Sequence, residues 1–379
     1  MSQPREASSS AADTDPAAEL ARLRAAIDRV DRALLELLNE RAELGRSIGA
    51  LKERSGMPVY SAARERDILA GLAGSNRGPF PSSAIEPVFR EIISATRALE
   101  RRLRIAFLGP EGTYSHLAAR RHFGEAADLL PTTTIGDVFA AVERGHADLG
   151  VVPVENTTEG VVTQTLDAFI GCELTICGEV LQRISHHLLS RSGRREDVRR
   201  VASIGQVLAQ CRVWLERNLP GVERVETASS AAAARLAAED ASIAAIGSAL
   251  AATAYGLATI EAGIEDRRDN TTRFVLLGRE APARSGRDLT SAVFTVSKAQ
   301  SGALHRLLDP FAQCGVNLTS IQSRPMPGKP FEYLFFLDME GHRDDPAVAR
   351  ALAEAAAVAY SHRVIGSFPR ATASEGSTP

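Results

Sequence analysis

The chain has 379 residues, 44% of them hydrophobic and 24% charged, and a formal net charge of −3 at pH 7. That length suits two or three domains rather than one core, and a near-neutral balance with basic residues scattered among acidic ones argues against nucleic acid or an acidic membrane as a partner. Four cysteines (Cys172, Cys177, Cys211, Cys314) with no C-x-x-C pair make neither a disulfide framework nor a zinc site, so they are expected to be ordinary buried or half-buried thiols.

Residues 1–16, MSQPREASSSAADTDP, lack the apolar core of a signal peptide, and no stretch nears the roughly eighteen apolar residues of a membrane span. A disordered tail and a cytoplasmic location are expected. From Leu20 the apolar positions run Leu20, Leu23, Ile27, Val30, Leu34, Leu37, Leu44, Ile48 and Leu51, steps of three and four that mark a heptad seam on one long helix. Arg41 occupies the single gap. Gly56 and Pro58 should end that helix; a short helix fits 62–72, and a third follows Pro81, where Ser83 and Glu86 form a possible capping box. The third carries Ile85, Val88, Phe89, Ile92, Ile93, Thr96 and Leu99 on one face. Two short helices cannot cover so long a stripe, so a dimer is expected.

The pattern changes at Arg104. Short apolar runs (105–109, 148–154, 174–180, 273–278) alternate with helical stretches such as 115–123 and 229–238, which predicts an α/β domain over 104–280. A linker at 281–287 leads to a strand, a helix, two strands, a helix and a strand (292–297, 302–313, 317–323, 333–339, 346–359, 363–368). That β-α-β-β-α-β order is ferredoxin-like and by itself names no function.

In the helical part, Arg41 and Lys52 are three turns apart and project from one face, roughly 16 Å apart along the axis, with Arg24 turned away by about 100°. Arg64 and Glu65 open the second helix, and Glu100 ends the apolar stripe of the third. Surface charges on a bundle explain an arginine in a seam poorly. The stretch LRAAIDRVDRALLELLNERAELGRSIGALK with PVYSAARE resembles the all-helical chorismate mutase family over 17–102. The resemblance implies a site inside a dimeric bundle, with Arg24 (from the second protomer), Arg41, Ser61, Arg64 and Glu65 holding a small dicarboxylate, for which planar guanidinium forks are suited. It places Lys52 and Glu100 at the breaking ether oxygen, where the enzyme must hold one conformer and stabilise charge. Many family members carry glutamine at the place of Glu100, and a glutamate donates there only when protonated. Ser61 stands where some members have aspartate.

In the α/β part, GPEGTYS (109–115) joins a strand to a helix, where backbone N–H groups favour an anion. PVENTTEG (153–160) brings Glu155, Asn156, Thr157 and Glu159 to a strand end, and NTTRF (270–274) brings Thr272 and Arg273; polar groups at strand ends are a common α/β site. With YGL (255–257) these motifs resemble prephenate dehydratase over 104–280, a fold of two lobes with a cleft between them. The resemblance gives Thr272 the role of acid assistance to a departing hydroxyl, Arg273 that of carboxylate partner, and Asn156, Ser203 and Gln210 substrate positioning. Members often read S-H-P-Q where this chain has Ser203-Ile204-Gly205-Gln206, so a histidine is absent. His186 and His187 are expected to be structural.

GAL (302–304) and QSRP (322–325) resemble the phenylalanine-binding motifs of the ACT domain, which implies effector contacts from Gly302, Ala303, Leu304, Gln322, Ser323, Arg324 and Pro325 within 288–370. Gln322 replaces a glutamate and drops its charge. Taken together the resemblances imply a multidomain protein: an all-α bundle, a two-lobed α/β domain and a ferredoxin-like α+β domain. They also imply chorismate and prephenate as substrates, L-phenylalanine as allosteric inhibitor, a homodimer or larger homo-oligomer, and no cofactor or metal. Two rivals differ in class. A ligand-binding transcriptional regulator would need a basic recognition helix, which the chain lacks. A monofunctional dehydratase with a dimerisation coil would not need Arg41 and Lys52 on one face.

Overall fold

A computed structural model describes residues 15–296, 301–326 and 332–371; the expected N-terminal tail, apart from its last two residues, lies outside them. The chain divides into two units, Met1–Val59 and Tyr60–Pro379. The first is built on α1 (Pro16–Ser55): the Asp15 side chain accepts the Ala17 N–H, Pro16 opens the helix, and Gly56, at φ 63°, closes it with its N–H on the Lys52 and Glu53 carbonyls. A residue with a side chain adopts that left-handed conformation at a cost. All nine seam residues from Leu20 to Leu51 are exposed.

The second unit opens with α2 (Ala62–Ser75) and α3 (Ser82–Glu100). Ser61 caps α2, its Oγ accepting the Arg64 N–H. The capping box expected at Ser83 and Glu86 does not form, because α3 starts one residue earlier with Pro81 at the cap, and Glu86 binds Arg90 at 2.5 Å instead. Nor does the division fall near 103. Helices ending without partners for their last carbonyls need donors, and helix Tyr114–Phe123 finds them on α3: Arg90 donates to His122 O (2.9 Å) and Arg97 to Phe123 O (2.8 Å). Arg97, buried, also binds Glu65 of α2, and the Tyr60 hydroxyl meets His122 Nε2 at 2.7 Å.

The first lobe runs β1 (Arg104–Leu108), α4 (Tyr114–Phe123), β2 (Asp128–Thr132), α5 (Ile135–Glu143), β3 (Leu149–Asn156), β4 (Gly160–Val161), α6 (Thr163–Ile170) and β5 (Thr175–Arg183). The second runs β6 (His187–Ser190), a single 3-10 turn, β7 (Arg200–Ser203), α7 (Gly205–Gln210), α8 (Arg212–Asn218), β8 (Glu223–Glu226), α9 (Ser230–Glu239), β9 (Ile243–Gly247), α10 (Ala249–Tyr255) and β10 (Ala258–Glu261). Then β11 (Thr271–Gly278) returns to the first lobe and inserts antiparallel between β3 and β5. The sheets are ordered β2-β1-β3-β11-β5, with β4 on β3, and β10-β6-β9-β7-β8. The two crossings between lobes are tied together, Ile184 N–H to Asn270 O (2.9 Å) and Ile264 N–H to His186 O (2.8 Å).

The C-terminal domain has β12 (Asp288–Thr295), α11 (Ala303–Gln313), β13 (Leu318–Pro325), β14 (Tyr333–Glu340), α12 (Pro346–Val358) and β15 (Ser361–Pro369), with strand order β13-β14-β12-β15, all antiparallel. Its helices cover one face through Phe294, Leu307, Phe311, Leu337 and Leu352. The other face lies on the first lobe, where Leu289, Phe336, Ile365 and Phe368 join the core of Ile176 and Val275. There β15 approaches β5 so closely that a Cβ on Gly366 would collide with the Ile176 backbone.

Burial holds the pKa of His122 well below the ordinary histidine value of 6.5, with Arg90 and Arg97 adding to the effect, and burial lowers His116, His186 and His187 as well. The folded state keeps these rings neutral while the unfolded chain protonates them near 6.5, so their contribution is complete above that pH and lost as pH falls through it. The urea midpoint should therefore be flat above about pH 7 and decline below about pH 6.5, by up to about 1.4 kcal/mol per pH unit for each ring. A midpoint indifferent to pH between 7 and 5, to the nearest unit, would contradict this account.

Candidate active site

Side chains from both lobes converge where the two crossings meet. Thr272, at the start of β11, is buried, and its Oγ accepts from Asn156 Nδ2 at 2.8 Å. Asn156 ends β3; its Oδ1 takes the Thr158 and Glu159 N–H groups (2.9 and 3.1 Å), and its Nδ2 also reaches Asn270 Oδ1 at 2.8 Å. With a donor already on its oxygen, the threonine hydroxyl has its own proton left to donate. Gln210, the last residue of α7, reaches across from the second lobe: its Nε2 meets Glu159 Oε1 at 3.0 Å and its Oε1 meets His186 Nε2 at 2.7 Å. Tyr114, first residue of α4, sets its hydroxyl 2.8 Å from His186 Nδ1 and 2.7 Å from Ser185 O. Partial burial raises the pKa of Glu159, with the Gln210 N–H pulling the other way.

Thr272, Asn156 and Gln210 thus come together as a site. Ser203 does not join them: it is fully buried and its hydroxyl donates to Ile246 O at 2.9 Å. Arg273 is also engaged elsewhere. Strand side chains alternate faces, so the residue after Thr272 points to the C-terminal domain, where its guanidinium binds Glu179 (2.7 Å) and Asp338 of β14 (2.5 Å). Burial works against that charge, but the two carboxylates outweigh it and the pKa rises. The expected carboxylate partner of the substrate is, in this structure, the tie between two sheets. The GPEGTYS loop turns inward as well, with the Gly112 N–H on His116 Nδ1 (3.0 Å) and its carbonyl accepting from Ser248 Oγ (2.8 Å) of the second lobe. Sequence reasoning missed Tyr114, Asn270, Glu159 and, above all, His186; a polar residue at either lobe crossing was the signal available.

Of the helical residues, Arg24 is exposed and Arg41 and Lys52 are half-buried on α1, where Lys52 Nζ donates to Val59 O at 3.0 Å. In the other unit Arg64 follows the Ser61 cap, Glu65 is held by Arg97, and Glu100 is half-buried at the end of α3. Gly302, at φ 73°, caps α11 ahead of Ala303 and Leu304. On β13, Gln322 and Arg324 face inward and Ser323 and Pro325 outward. Arg324 forms a two-pronged ion pair with Asp167 of α6 (2.7–3.0 Å). Gln322 lines a cavity between the C-terminal sheet and the first lobe, together with Glu155, Arg273, Ser320 and Asp338. All four cysteines are free, three buried and Cys314 half-buried; burial pushes the Cys177 thiol up to about 12.

A two-lobed α/β cleft with a threonine hydroxyl poised to donate, joined to a small α/β domain, defines a small-molecule lyase with an attached regulatory module. The models of three families match in order: chorismate mutase type II over residues 23–101, prephenate dehydratase over 105–282 and the ACT domain over 291–357. A bifunctional chorismate mutase/prephenate dehydratase of Aquifex aeolicus is 44% identical over 361 residues, 94% of this chain and 99% of that protein. One from Neisseria gonorrhoeae is 44% identical over 351 residues, 92% of this chain and 96% of that one. The crystal structure of prephenate dehydratase from Arthrobacter aurescens in complex with L-Phe superposes with a TM-score of 0.66 at 38% identity, covering 71% of this chain and 90% of that one. The chain belongs to the bifunctional chorismate mutase/prephenate dehydratase family, and carries both enzyme activities.

The buried Arg273 tie can be tested directly. Asp338→Ala leaves the guanidinium with one carboxylate in place of two, and removal of one partner from a buried ion group costs about 3 kcal/mol or more. The urea midpoint should drop accordingly, whereas Arg267→Ala, in an exposed pair with Asp269, should change it by less than about 1 kcal/mol.

Proposed function

We propose that prephenate binds in the cleft between the lobes and that Thr272 hydrogen-bonds its departing ring hydroxyl while carbon dioxide leaves from the same ring carbon's opposite position. The electrons of the breaking C–C bond complete the aromatic ring and the C–O bond breaks, so phenylpyruvate, carbon dioxide and water result once the leaving oxygen is protonated. Little beyond assistance to that oxygen is required. One observation carries the assignment: Asn156, its oxygen held by two backbone N–H groups, can present only N–H to Thr272 Oγ, which directs the threonine proton outward. Gln210 and Asn156 then position the substrate from opposite lobes.

Chorismate is rearranged on the helical segment, with Lys52 and Glu100 at the ether oxygen and Arg24, Arg41, Ser61, Arg64 and Glu65 on its polar groups. The exposed seam of α1 supports a homodimer in which a second copy covers it and lends Arg24. The protein acts in the cytoplasm, without cofactor, as a homodimer or larger assembly. L-Phenylalanine inhibits the dehydratase at the 302–304 and 322–325 motifs; inhibition at a distance requires that it favour one conformation, and a tenfold preference corresponds to about 1.4 kcal/mol.

Thr272→Ala should lower dehydratase kcat by roughly a hundredfold or more and spare the mutase; Arg41→Ala should do the reverse. Separate assays with prephenate and chorismate decide this, and loss of both activities in a folded variant would refute two separate sites. Gly302→Val forces a β-branched residue to positive φ and should abolish phenylalanine inhibition while the uninhibited rate persists. Inhibition at the original potency in that variant would remove Gly302 from the effector site.

A further inference from the structure

A backbone N–H can only donate, and this sets the direction of every hydrogen bond from Thr158 to Tyr114. The N–H groups of Thr158 and Glu159 occupy Asn156 Oδ1, so Asn156 turns its amide nitrogen to Asn270 Oδ1 (2.8 Å). Asn270 then turns its own nitrogen toward Gln210 Oε1 (3.5 Å). From the other end, the Glu159 carboxylate accepts only, so Gln210 must offer it N–H (3.0 Å). Both ends require the same orientation of the Gln210 amide. Its Oε1 lies 2.7 Å from His186 Nε2, and two acceptors would repel there, so that ring nitrogen carries a hydrogen.

We propose that His186 is a positioning residue of the dehydratase site, fixed in the Nε2–H tautomer so that it locks Gln210 in the orientation that bridges the two lobes at Glu159. The Nδ1 atom is then bare and accepts from the Tyr114 hydroxyl at 2.8 Å. The ring is 1% exposed, its backbone N–H is held by Glu265 (2.8 Å) and its carbonyl by the Ile264 N–H (2.8 Å), so it cannot turn away. Burial lowers its pKa, which leaves tautomer choice as the variable. With no donor at Nε2, Gln210 is free to turn its amide over, oxygen faces carboxylate, and the bond across the cleft is lost. The kinetic consequence rests on the placement of Gln210 in the prephenate cleft; the tautomer does not.

The test uses the full chain labelled with 15N-histidine. At about pH 8, above the ordinary histidine range, long-range 1H–15N correlation should show His186 with a protonated Nε2 and an unprotonated Nδ1, assigned by the signals lost in His186→Gln. His186→Phe, which keeps a ring without N–H, should raise KM for prephenate about fivefold or more, the loss of one buried hydrogen bond, with mutase turnover unchanged. His186→Gln, able to donate to Gln210 again, should restore most of the affinity. An Nδ1–H tautomer overturns the proposal, as does wild-type KM in a folded His186→Phe when Gln210→Ala raises it. Should Gln210→Ala leave KM unaltered, the cleft placement of Gln210 falls, and the tautomer alone supports or overturns the lock. If His186→Phe fails to fold, the tautomer and the His186→Gln kinetics decide.

Discussion

Arg273 sits where three sheet elements meet, and the arrangement of the catalytic lobe follows from how its charge is met. A buried guanidinium is costly unless its donors are satisfied, and the two carboxylates that satisfy it come from different places: Glu179 from β5 beside it in the same sheet, Asp338 from β14 of the C-terminal domain. Glu179 further accepts the Ala371 N–H (2.8 Å), and Asp338 the Ser291 hydroxyl (2.5 Å). One residue earlier on the same strand, Thr272 faces the cleft. A strand has no freedom to move one of these residues without the other, so the position of the C-terminal sheet and that of the threonine hydroxyl are mechanically one variable.

That geometry offers a short physical route for regulation. Gln322, on β13, and Arg273 line the same cavity, and Arg324 two residues on is paired with Asp167 of the first lobe. A shift of β13 changes the surroundings of β14 and of Asp338, its neighbour in the ladder, before any contact reaches the cleft. Interfaces built from packed side chains and ion pairs tend to switch between discrete arrangements rather than deform smoothly.

Helix α4 plays a comparable part at the other side of the molecule. Its first residue, Tyr114, meets His186 between the lobes, while its last carbonyls are capped by Arg90 and Arg97 of α3, and Arg97 also holds Glu65. The residues that family resemblance assigns to chorismate therefore border a helix whose opposite end borders the prephenate cleft. This accounts for the unit boundary at Val59: α2 and α3 supply donors that α4 needs, and so belong with it.

Periodicity in the sequence was sufficient for most elements, because apolar spacing of 3.6 or 2 residues is a local property: α1 with its Asp15 and Gly56 caps, the alternating strands and helices of 104–280, and the β-α-β-β-α-β order of the last domain all follow from it. Motifs sufficed for Thr272, Asn156 and Gln210, which sit at element ends where a short string of polar residues is visible. The roles of Ser203 and Arg273 could not be obtained that way. Whether a hydroxyl donates to a substrate or to Ile246 O, and whether a guanidinium meets a ligand or Asp338, depends on partners distant in sequence that only folding brings within hydrogen-bond reach. His186 is the sharpest case: alone in the sequence it is a histidine without a partner, and the chain of donors that fixes its tautomer begins at two backbone N–H groups some thirty residues away, connected to it only through side chains of both lobes.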